Sequence, residues 1–459
     1  MTRRFQAIVP VRSVILGLSE ALLATLALLA SMIAFLGLQN ATLALGYERA
    51  DSQVALVVVL FVLCMYYFDL YDLNVLHNSR EVVTNLVQSF GTFFLVLACA
   101  YSLFPSLRLQ QAVVLAGTGT AAIGALCWRQ LIQHASHWAA FQERVLLFGD
   151  GPMASELSVI LNAHPELGHR LVCRLSGQPG PATDAAASPS CDDELLRLID
   201  FHKIRRVVVT LGERRGRLPV DSLLDLKEQG VLVQEGSELY ERITGKVYLD
   251  ALRPSMLLFS PAFEVSTTTH IFKRLLSLAV SISALLATAP IMLLVAVAIR
   301  LDSPGPIIFR QKRVGLHGHL FTLYKFRSMR DGVDAVRAAE EGDERVTRVG
   351  RWLRSARLDE LPQLWNILRG DMHLVGPRPF VPEQEEFLRA NIPFYKLRWS
   401  VRPGATGWAQ VNRGYCTTLE DNADKLAFDL FYIKHFSLGL DLLVLFKTVK
   451  ILMLGRGGR

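Results

Sequence analysis

The chain has 459 residues, of which 51% are hydrophobic and 20% are charged, and its formal net charge is +7. So large an apolar fraction argues against an ordinary soluble enzyme and predicts a membrane protein. Basic residues are few before Phe141 and frequent after Arg300, so we expect anionic partners for the C-terminal third. Nucleic acid, lipid head groups and nucleotide diphosphates are all anionic, and charge alone does not rank them. The six cysteines form neither a CxxC pair nor a His–Cys cluster, and they indicate neither zinc nor a disulfide framework.

The first predicted domain, residues 1–140, is a bundle of four transmembrane helices. Its apolar runs are Val14–Gly37, Val54–Phe68, Leu86–Leu103 and Ala112–Ile132. A cleaved signal peptide would have a shorter apolar region followed by small residues. Basic residues precede the first run and follow the fourth, which favours a cytoplasmic position for both ends of the bundle. Glu20, inside the first run, has either a function within the membrane or a place near its interface.

The second predicted domain, residues 141–265, is a Rossmann-like α/β domain. Strand patterns occur at Arg144–Phe148, Arg170–Leu175 and Arg205–Leu211, and helix patterns occur at Ala154–Ala163 and Asp193–Phe201. The turn Gly149–Ala154 follows a strand and opens a helix, as a dinucleotide-binding turn does. Cys173 and Arg174 stand where such a site carries an acidic residue for the ribose, so the pattern favours a structural or regulatory domain over bound NAD.

Two segments of this region have no regular periodicity. Gly177–Ser190 is rich in proline, alanine, glycine and serine and predicts a mobile loop. Tyr240–Thr268 predicts an irregular connector. We therefore place the start of the third domain at residue 266, shortly before the next apolar run.

The apolar run Leu275–Leu301 is long enough to span a bilayer, but its flanks argue against crossing. Lys273 and Arg274 precede it and several basic residues follow it, so both flanks prefer the cytoplasmic side. Pro290, near the middle, removes an amide donor and clashes with the preceding turn, which favours a sharp kink. We predict a re-entrant membrane helix; the alternative from hydropathy alone is a kinked fifth spanning helix.

Two adjacent carboxylates, Asp359 and Glu360, stand just ahead of a predicted helix that Pro362 opens and Gly370 ends. The helix dipole and nearby arginines should keep Asp359 ionised. An ionised carboxylate can attack phosphorus, while a second carboxylate can hold Mg²⁺. Such a pair is common on protein surfaces, so the surrounding motifs must decide whether it is catalytic.

Five motifs occur in order through this region. They are Lys325–Met329, Leu358–Gln363, Val375–Pro379, Arg402–Asn412 and Asp429–Ile433. Together they closely resemble the bacterial sugar transferase family, the monotopic polyprenyl-phosphate hexose-1-phosphate transferases, from Lys273 to about Gly455. The preceding bundle and Rossmann-like domain resemble the long, multi-domain members found with exopolysaccharide synthesis. One departure is Ala289-Pro290, where many members have Ser-Pro, so the bend would rest on Pro290 and packing.

The resemblance implies roles for particular residues. Asp359 would be the nucleophile that forms a phospho-sugar aspartyl intermediate and releases UMP, and Glu360 would bind Mg²⁺. Arg378, between two prolines, would hold phosphate. Further candidates for binding phosphate are Arg313, Lys325 and Arg354. The alternative is that these residues contact lipid head groups. Asp429 is a candidate either for supporting the site or for contacting the base of the nucleotide.

The resemblance also implies the partners and the place of the reaction. The substrates would be a UDP-sugar and undecaprenyl phosphate, and the third domain, residues 266–459, would face the cytoplasm at the inner membrane. Asp441–Leu454 predicts an interfacial helix. A homodimer through the middle domain is expected, and nucleic acid is not. Two other readings are a membrane-bound nucleotide-sugar dehydratase or epimerase and a non-catalytic nucleotide-sensing scaffold; the first leaves everything after Lys273 unexplained, and the second requires a decayed C-terminal site.

Overall fold

The computed structural model of the chain describes residues 11–47, 50–68, 70–71, 79–136, 142–164, 168–176, 191–212, 218–254, 267–330, 343–414 and 418–453. Contacts between Cα atoms divide the chain into two compact units, Met1–Leu239 and Tyr240–Arg459. The domain boundaries expected at residues 140 and 265 stay predictions.

The first unit begins with apolar helices. They are α1 (Val11–Leu36), α2 (Leu38–Tyr47), α3 (Ala50–Tyr67), α4 (Ser79–Leu103) and α5 (Gln111–Ser136). Leu28, Phe61, Phe93 and Val113 lie in their shared core. A Cβ atom on Gly117 of α5 would lie 2.6 Å from Leu28 Cδ2 of α1, so this glycine allows two helices to pack closely.

Within the described residues, five helices are long and apolar enough to cross a membrane. They are Ile15–Leu36, Ala50–Tyr67, Thr84–Leu103, Gln111–Leu131 and Thr267–Asp302. The first four overlap the predicted membrane runs, and the fifth contains the run predicted to be re-entrant. The apolar helical character of the N-terminal region is thus confirmed, while the number of helices that cross stays a prediction.

A buried ion pair joins α1 to α5. Arg129 donates to both carboxylate oxygens of Glu20, at 2.5 and 2.8 Å, and both side chains are almost completely buried. A buried charge is stable only when it is paired and hydrogen-bonded, and this bidentate geometry supplies both. Glu20 therefore faces the interior of the bundle, where it joins the first and last helices.

The same unit contains a four-stranded parallel sheet with strand order β2-β1-β3-β4. Its strands are β1 (Glu143–Phe148), β2 (His169–Leu175), β3 (Arg206–Val209) and β4 (Leu232–Glu235), and its helices are α6 (Pro152–Ala163), α7 (Cys191–His202) and α8 (Val220–Glu228). The three predicted strands and both predicted helices are confirmed to within a few residues. The predicted loop Gly177–Ser190 lies outside the described residues.

The turn after β1 has a backbone conformation that glycine adopts readily and other residues do not. Gly149 and Gly151 have φ values of 121° and 139°, which disfavour any side chain. A Cβ atom on Gly149 would lie 2.9 Å from the Leu211 nitrogen, so the turn packs directly against the end of β3. Arg174 Nε lies 3.2 Å from Asp150 Oδ1, so the residue that replaces the ribose-binding acid forms an ion pair with the turn itself.

The second unit combines one long helix and several shorter ones with two small sheets. Its helices are α9 (Gly236–Thr244), which begins before the unit, α10 (Thr267–Asp302), α11 (Arg348–Ser355), α12 (Gln363–Arg369), α13 (Pro382–Asn391), α14 (Trp408–Asn412), α15 (Leu419–Lys434) and α16 (Leu438–Met453). Strands β5 (Ile308–Val314) and β6 (Leu320–Phe326) form an antiparallel hairpin, and β7 (His373–Val375) pairs in parallel with β8 (Gly404–Thr406).

Two local expectations need correction here. The predicted connector Tyr240–Thr268 is helical as far as Thr244, because α9 turns an amphipathic face to α15, where Glu241 pairs with Lys434 at 2.8 Å. From the sequence, a Pro/Gly turn, a short strand and a basic, glycine-bearing loop are expected over residues 302–315. The basic part is instead a strand as far as Val314, so Arg313 is held by the β5–β6 ladder.

Helix α10 contains Pro290 and packs against its own unit near both ends. Near the start, Lys273 Nζ lies 2.7 Å from Asp441 Oδ1 of α16, and Arg274 donates to the carbonyl oxygens of Ile367 and Leu368 at the end of α12. Near the other end, Val295 and Ile299 are buried against Phe326 and Leu353. Between these contacts the apolar side chains Leu286, Leu293 and Leu294 are exposed.

Candidate active site

Asp359 and Glu360 lie on a single 3-10 turn, Leu358–Glu360, between α11 and α12. Arg357, which precedes it, adopts a left-handed conformation with φ 54°, and this reverses the chain after α11. Pro362 is the N-cap of α12, and Gly370, with φ 92°, ends it. The predicted placement of both carboxylates ahead of a Pro-to-Gly helix is therefore confirmed.

Glu360 is held by three cations from different parts of the chain. Its Oε1 accepts hydrogen bonds from Lys325 Nζ at 2.8 Å and from Arg378 Nη2 at 3.0 Å. Arg357 Nη1 lies 3.8 Å from the other oxygen, Oε2. One carboxylate thus joins three parts of the chain: strand β6, the turn after α11 and the loop after β7. It also brings together two of the predicted phosphate-binding residues, Lys325 and Arg378.

The two carboxylates have opposite electrostatic environments. Burial opposes ionisation of Glu360, but the charges of Arg378, Lys325 and Arg357 prevail and lower its pKa well below the usual value. Burial raises the pKa of Asp359, and the Glu360 charge adds to this, against the opposite effects of Lys325, Arg354 and Arg378. Cationic neighbours were expected to dominate at Asp359; burial contributes more, so its pKa is shifted upward.

Asp359 also differs from Glu360 in its contacts. Within the described part of the chain its carboxylate makes no hydrogen bond or ion pair, whereas Glu360 has two hydrogen-bonded partners. Its charged neighbours act on it through space. One carboxylate of the pair is thus held by cations, and the other has no hydrogen-bonded partner among the described residues.

Two more predicted residues, Arg313 and Arg354, lie near the pair. Burial and then the charge of Arg378 lower the pKa of Arg313 to about 10, while Glu360 acts in the opposite direction. Arg313 donates to the Pro379 carbonyl oxygen at 3.2 Å, and its buried Nε has no hydrogen-bond partner among the residues that the structure describes. Such an unsatisfied donor beside a cationic site is suited to an anionic ligand. The charge of Arg354, on α11, opposes the rise in the pKa of Asp359 that burial causes.

Asp429 is not at the centre of the site. It is 2% exposed on α15 and binds Arg398, whose Nη2 and Nε lie 3.0 and 3.2 Å from its Oδ2. Burial raises the Asp429 pKa, and the Arg398 and Lys425 charges act in the opposite direction. Asp429 thus binds a buried arginine; its expected role as support or as a base contact stays a prediction. Arg398 lies outside the five motifs, and nothing in its local sequence distinguishes it.

Backbone crowding between β7 and β8 explains the glycines of the fourth motif. A Cβ atom on Gly404 would lie 2.0 Å from the Gly376 nitrogen and 2.4 Å from the Thr406 oxygen. Both obstacles are backbone atoms, so the backbone of β8 and that of Gly376, which follows β7, would have to move. This pairing holds the loop that carries Arg378, because Gly376 lies two residues before it.

We expect Gly404→Ala to lower the thermal unfolding midpoint strongly, with a cost of about 3 kcal/mol or more from overpacking. Intrinsic tryptophan fluorescence of the purified protein in detergent measures this. Gly414→Ala is the matched control, since no atom of the described residues, its chain neighbours aside, lies within 4 Å of a Cβ there. Equal midpoints for both variants would contradict the close packing of these strands.

The suitability of the site for Mg²⁺ can be judged from its donors. Among the described residues, no group of three or more acidic, histidine or cysteine side chains could hold a metal by itself. Mg²⁺ commonly binds through one or two carboxylates plus substrate phosphates and retained water. Glu360 Oε2, which lies 3.8 Å from Arg357 Nη1, and the neighbouring Asp359 fit that lighter form of ligation.

The C-terminal part of the chain is similar to known proteins. Residues 268–455 match the model of the family described as bacterial sugar transferase. The chain is 43% identical over 230 residues to UDP-N-acetylgalactosamine-undecaprenyl-phosphate N-acetylgalactosaminephosphotransferase of Aeromonas hydrophila, covering 48% of this chain and 52% of the relative. It is 35% identical over 318 residues to undecaprenyl-phosphate glucose phosphotransferase of Komagataeibacter xylinus, covering 67% and 58%.

A third relative extends the match. UDP-glucose:undecaprenyl-phosphate glucose-1-phosphate transferase of Xanthomonas campestris pv. campestris is 32% identical over 342 residues, which are 70% of this chain and 68% of the relative. The chain spans only a little over half the length of the first two relatives. The family match includes Asp359, Glu360 and each cation around them. The chain therefore belongs to the bacterial sugar transferase family.

Proposed function

We propose that the chain transfers a hexose 1-phosphate from a UDP-sugar to undecaprenyl phosphate, with a covalent intermediate on Asp359 and release of UMP. The observation that carries the proposal is the unequal carboxylate pair. Glu360 is fixed by Lys325 and Arg378, while Asp359 beside it has no hydrogen-bonded partner in the described part of the chain. A nucleophile must be free to approach phosphorus, and Asp359 meets that condition.

The cations around the pair suit a diphosphate substrate. Lys325, Arg357 and Arg378 contact Glu360, and Arg313 and Arg354 act on the pair through their charges. A site with five basic and two acidic side chains has a surplus of positive charge. A UDP-sugar brings two negative phosphates, and fixed cations can stabilise the further charge that develops on the departing UMP.

The proposed reaction has two displacements at the same phosphorus. In the first, an Asp359 carboxylate oxygen bonds to the β-phosphorus of the UDP-sugar, the bond from that phosphorus to the bridging oxygen breaks, and UMP leaves with the electron pair. In the second, an oxygen of the lipid phosphate bonds to phosphorus and Asp359 is released. The product is a lipid diphosphate sugar. Mg²⁺ held by Glu360 would neutralise phosphate charge.

The contacts of α10 support a re-entrant path for this helix. In a straight helix, Arg274 and Val295 would lie about 30 Å apart. Arg274 binds the carbonyl oxygen of Leu368, and Val295 belongs to a cluster that packs against Leu361. Leu361 and Leu368 are only seven residues apart, about 10 Å in helical conformation. A bend at Pro290 reconciles these contacts and lets both ends of α10 remain on one side of the bilayer.

We propose that this side is the cytoplasmic face of the bacterial inner membrane, where a soluble UDP-sugar and the lipid phosphate can both reach Asp359. Helix α16 supports an interfacial position, because Leu442, Val449 and Leu452 are exposed apolar side chains on a helix that also carries Lys447 and Lys450. The product would begin an exopolysaccharide, capsule or O-antigen. Dimerisation through the Rossmann-like domain remains an expectation.

The first test is UMP release from a panel of UDP-sugars by the purified full chain, with Mg²⁺ and undecaprenyl phosphate. Glucose and N-acetylgalactosamine donors come first, because the relatives are named for those sugars. We expect one donor to give lipid-dependent UMP and a lipid-linked sugar, with ping-pong kinetics. No release with any donor, with or without lipid, would refute the proposed function.

A further inference from the structure

The loop that carries Arg378 is fixed through its carbonyl groups. Pro377 and Pro379 have no amide hydrogen, so this loop is held mainly as an acceptor. Four successive carbonyl oxygens each accept one hydrogen bond. The bonds are Gly404 N to Pro377 O at 3.0 Å, Arg398 Nη2 to Arg378 O at 2.9 Å, Arg313 Nη1 to Pro379 O at 3.2 Å and Val314 N to Phe380 O at 3.1 Å.

Arg398 is the only one of these four donors that binds the backbone of Arg378 itself. It is 4% exposed, and its guanidinium carbon lies 4.8 Å from the centre of the Phe380 ring. Its five N–H groups all have acceptors. Nε and one Nη2 hydrogen reach Asp429 Oδ2, the two on Nη1 reach Glu385 Oε1 and the Tyr395 hydroxyl oxygen, and the remaining Nη2 hydrogen reaches Arg378 O.

These five hydrogen bonds fix the orientation of the Arg398 guanidinium, whereas a simple ion pair would require only its charge. A lysine could supply the charge, but only the planar guanidinium provides five donors in fixed directions. Asp429 shares an oxygen between Nε and Nη2 and so sets the plane of the group whose other Nη2 hydrogen points at Arg378 O. Of the four hydrogen bonds that hold the loop, the one that this plane directs is made to Arg378 itself, whose guanidinium lies 3.0 Å from Glu360.

We propose that Arg398 is a positioning residue of the transferase site, which sets the Arg378 guanidinium against Glu360 and the substrate phosphates through the Arg378 carbonyl group. Asp429 acts through Arg398. This rests on the proposed function, since it concerns the same reaction. It assigns Asp429 a place in catalysis without any contact to the nucleotide.

A double-mutant cycle tests this role in the full-length protein. Arg398→Lys keeps the charge and loses the fork, so we expect kcat/KM for lipid-dependent UMP release to fall about 100-fold, as for a displaced catalytic group. In an Arg378→Ala background the same change should lower kcat/KM by less than about twofold, because there is no guanidinium left to place. A purely structural role would not produce this coupling.

If Arg398→Lys fails to fold, Asp429→Asn replaces it in the double-mutant cycle. We expect Asp429→Asn to lower kcat/KM about tenfold in the wild-type background and to have no further effect in the Arg378→Ala background. The matched control is Asp424→Asn on the same helix, α15, whose carboxylate pairs with Lys246 and Arg413. It should leave kcat/KM within about twofold of the wild type. Thermal midpoints of every variant are measured in parallel.

The outcomes separate the two proposals. The positioning role would be overturned if the losses of kcat/KM from Arg398→Lys and Arg378→Ala multiply in the double variant. It would also be overturned if Asp424→Asn and Asp429→Asn lower kcat/KM equally. In both cases the transferase function would stand. A wild-type protein without lipid-dependent UMP release would overturn the function and the positioning role together.

Discussion

Asp359→Asn is expected to abolish UMP release, with a fall in kcat of at least about 10³-fold. Asparagine has nearly the same shape, but its amide oxygen is a poor nucleophile and cannot form the acyl phosphate. Asp359 has no hydrogen-bonded partner among the described residues, so the substitution removes no visible contact. The loss should therefore be chemical rather than structural. UMP release measures it, together with intact-protein mass after incubation with donor alone.

Without the lipid acceptor, the wild type should gain the mass of one sugar phosphate, and the variant should not. Asp371→Asn is a matched control at the other end of α12, where Asp371 lies 3.5 Å from Arg369 and accepts a hydrogen bond from Asn366. It should keep kcat within about fivefold. Undiminished release by Asp359→Asn would refute the nucleophile assignment and leave the family membership untouched.

The same variant should be at least as stable as the wild type near neutral pH. The pKa of Asp359 is raised in the fold by burial, with Glu360 adding to it, so the folded state binds the proton more tightly than the unfolded chain. The resulting destabilisation develops as the pH rises from the usual carboxyl pKa through the folded value and persists above it. Asparagine carries no such charge. A clearly lower thermal midpoint for Asp359→Asn would contradict this electrostatic picture.

The sequence predicted much of the architecture because the relevant signals were local. The apolar runs, the strand patterns and the Pro362-to-Gly370 helix each depend on residues close together in the chain. The Asp359–Glu360 pair was recognisable through the five ordered motifs. Helix α9 was missed because Tyr240–Thr244 is too short a pattern to stand out, and its amphipathic face makes sense only beside α15, where Glu241 meets Lys434.

Long-range electrostatics could not be predicted in the same way. Asp429 belongs to a motif, yet its role depends on Arg398, 31 residues earlier, and on the Arg378 carbonyl group that Arg398 binds. The direction of the Asp359 pKa shift also depends on burial, which motif spacing does not contain. A motif can thus identify which residues matter before the structure shows which of them touch one another.

Glu360→Gln is expected to lower both stability and activity. Glutamine removes the negative charge that Lys325 and Arg378 share at 2.8 and 3.0 Å, and leaves two partly buried cations close together. Loss of one partner from such a buried network costs about 3–5 kcal/mol. The Arg378 guanidinium also loses its anchor, so we expect kcat/KM to fall about 10²-fold. Thermal unfolding and UMP release measure the two effects.

The pH dependence of this loss gives its cause. Because the pKa of Glu360 is lowered in the fold, its stabilising contribution is fully present above the unfolded pKa of about 4.5 and is lost as the pH falls toward the folded value. The difference in midpoint between wild type and Glu360→Gln should therefore be constant near neutral pH and shrink below about 4.5. Glu386→Gln, at an exposed position of α13, should shift the midpoint little at any pH. A wild-type advantage that persists unchanged into acid would mean that the second carboxyl oxygen as a hydrogen-bond acceptor, and not the charge, holds the cations in place.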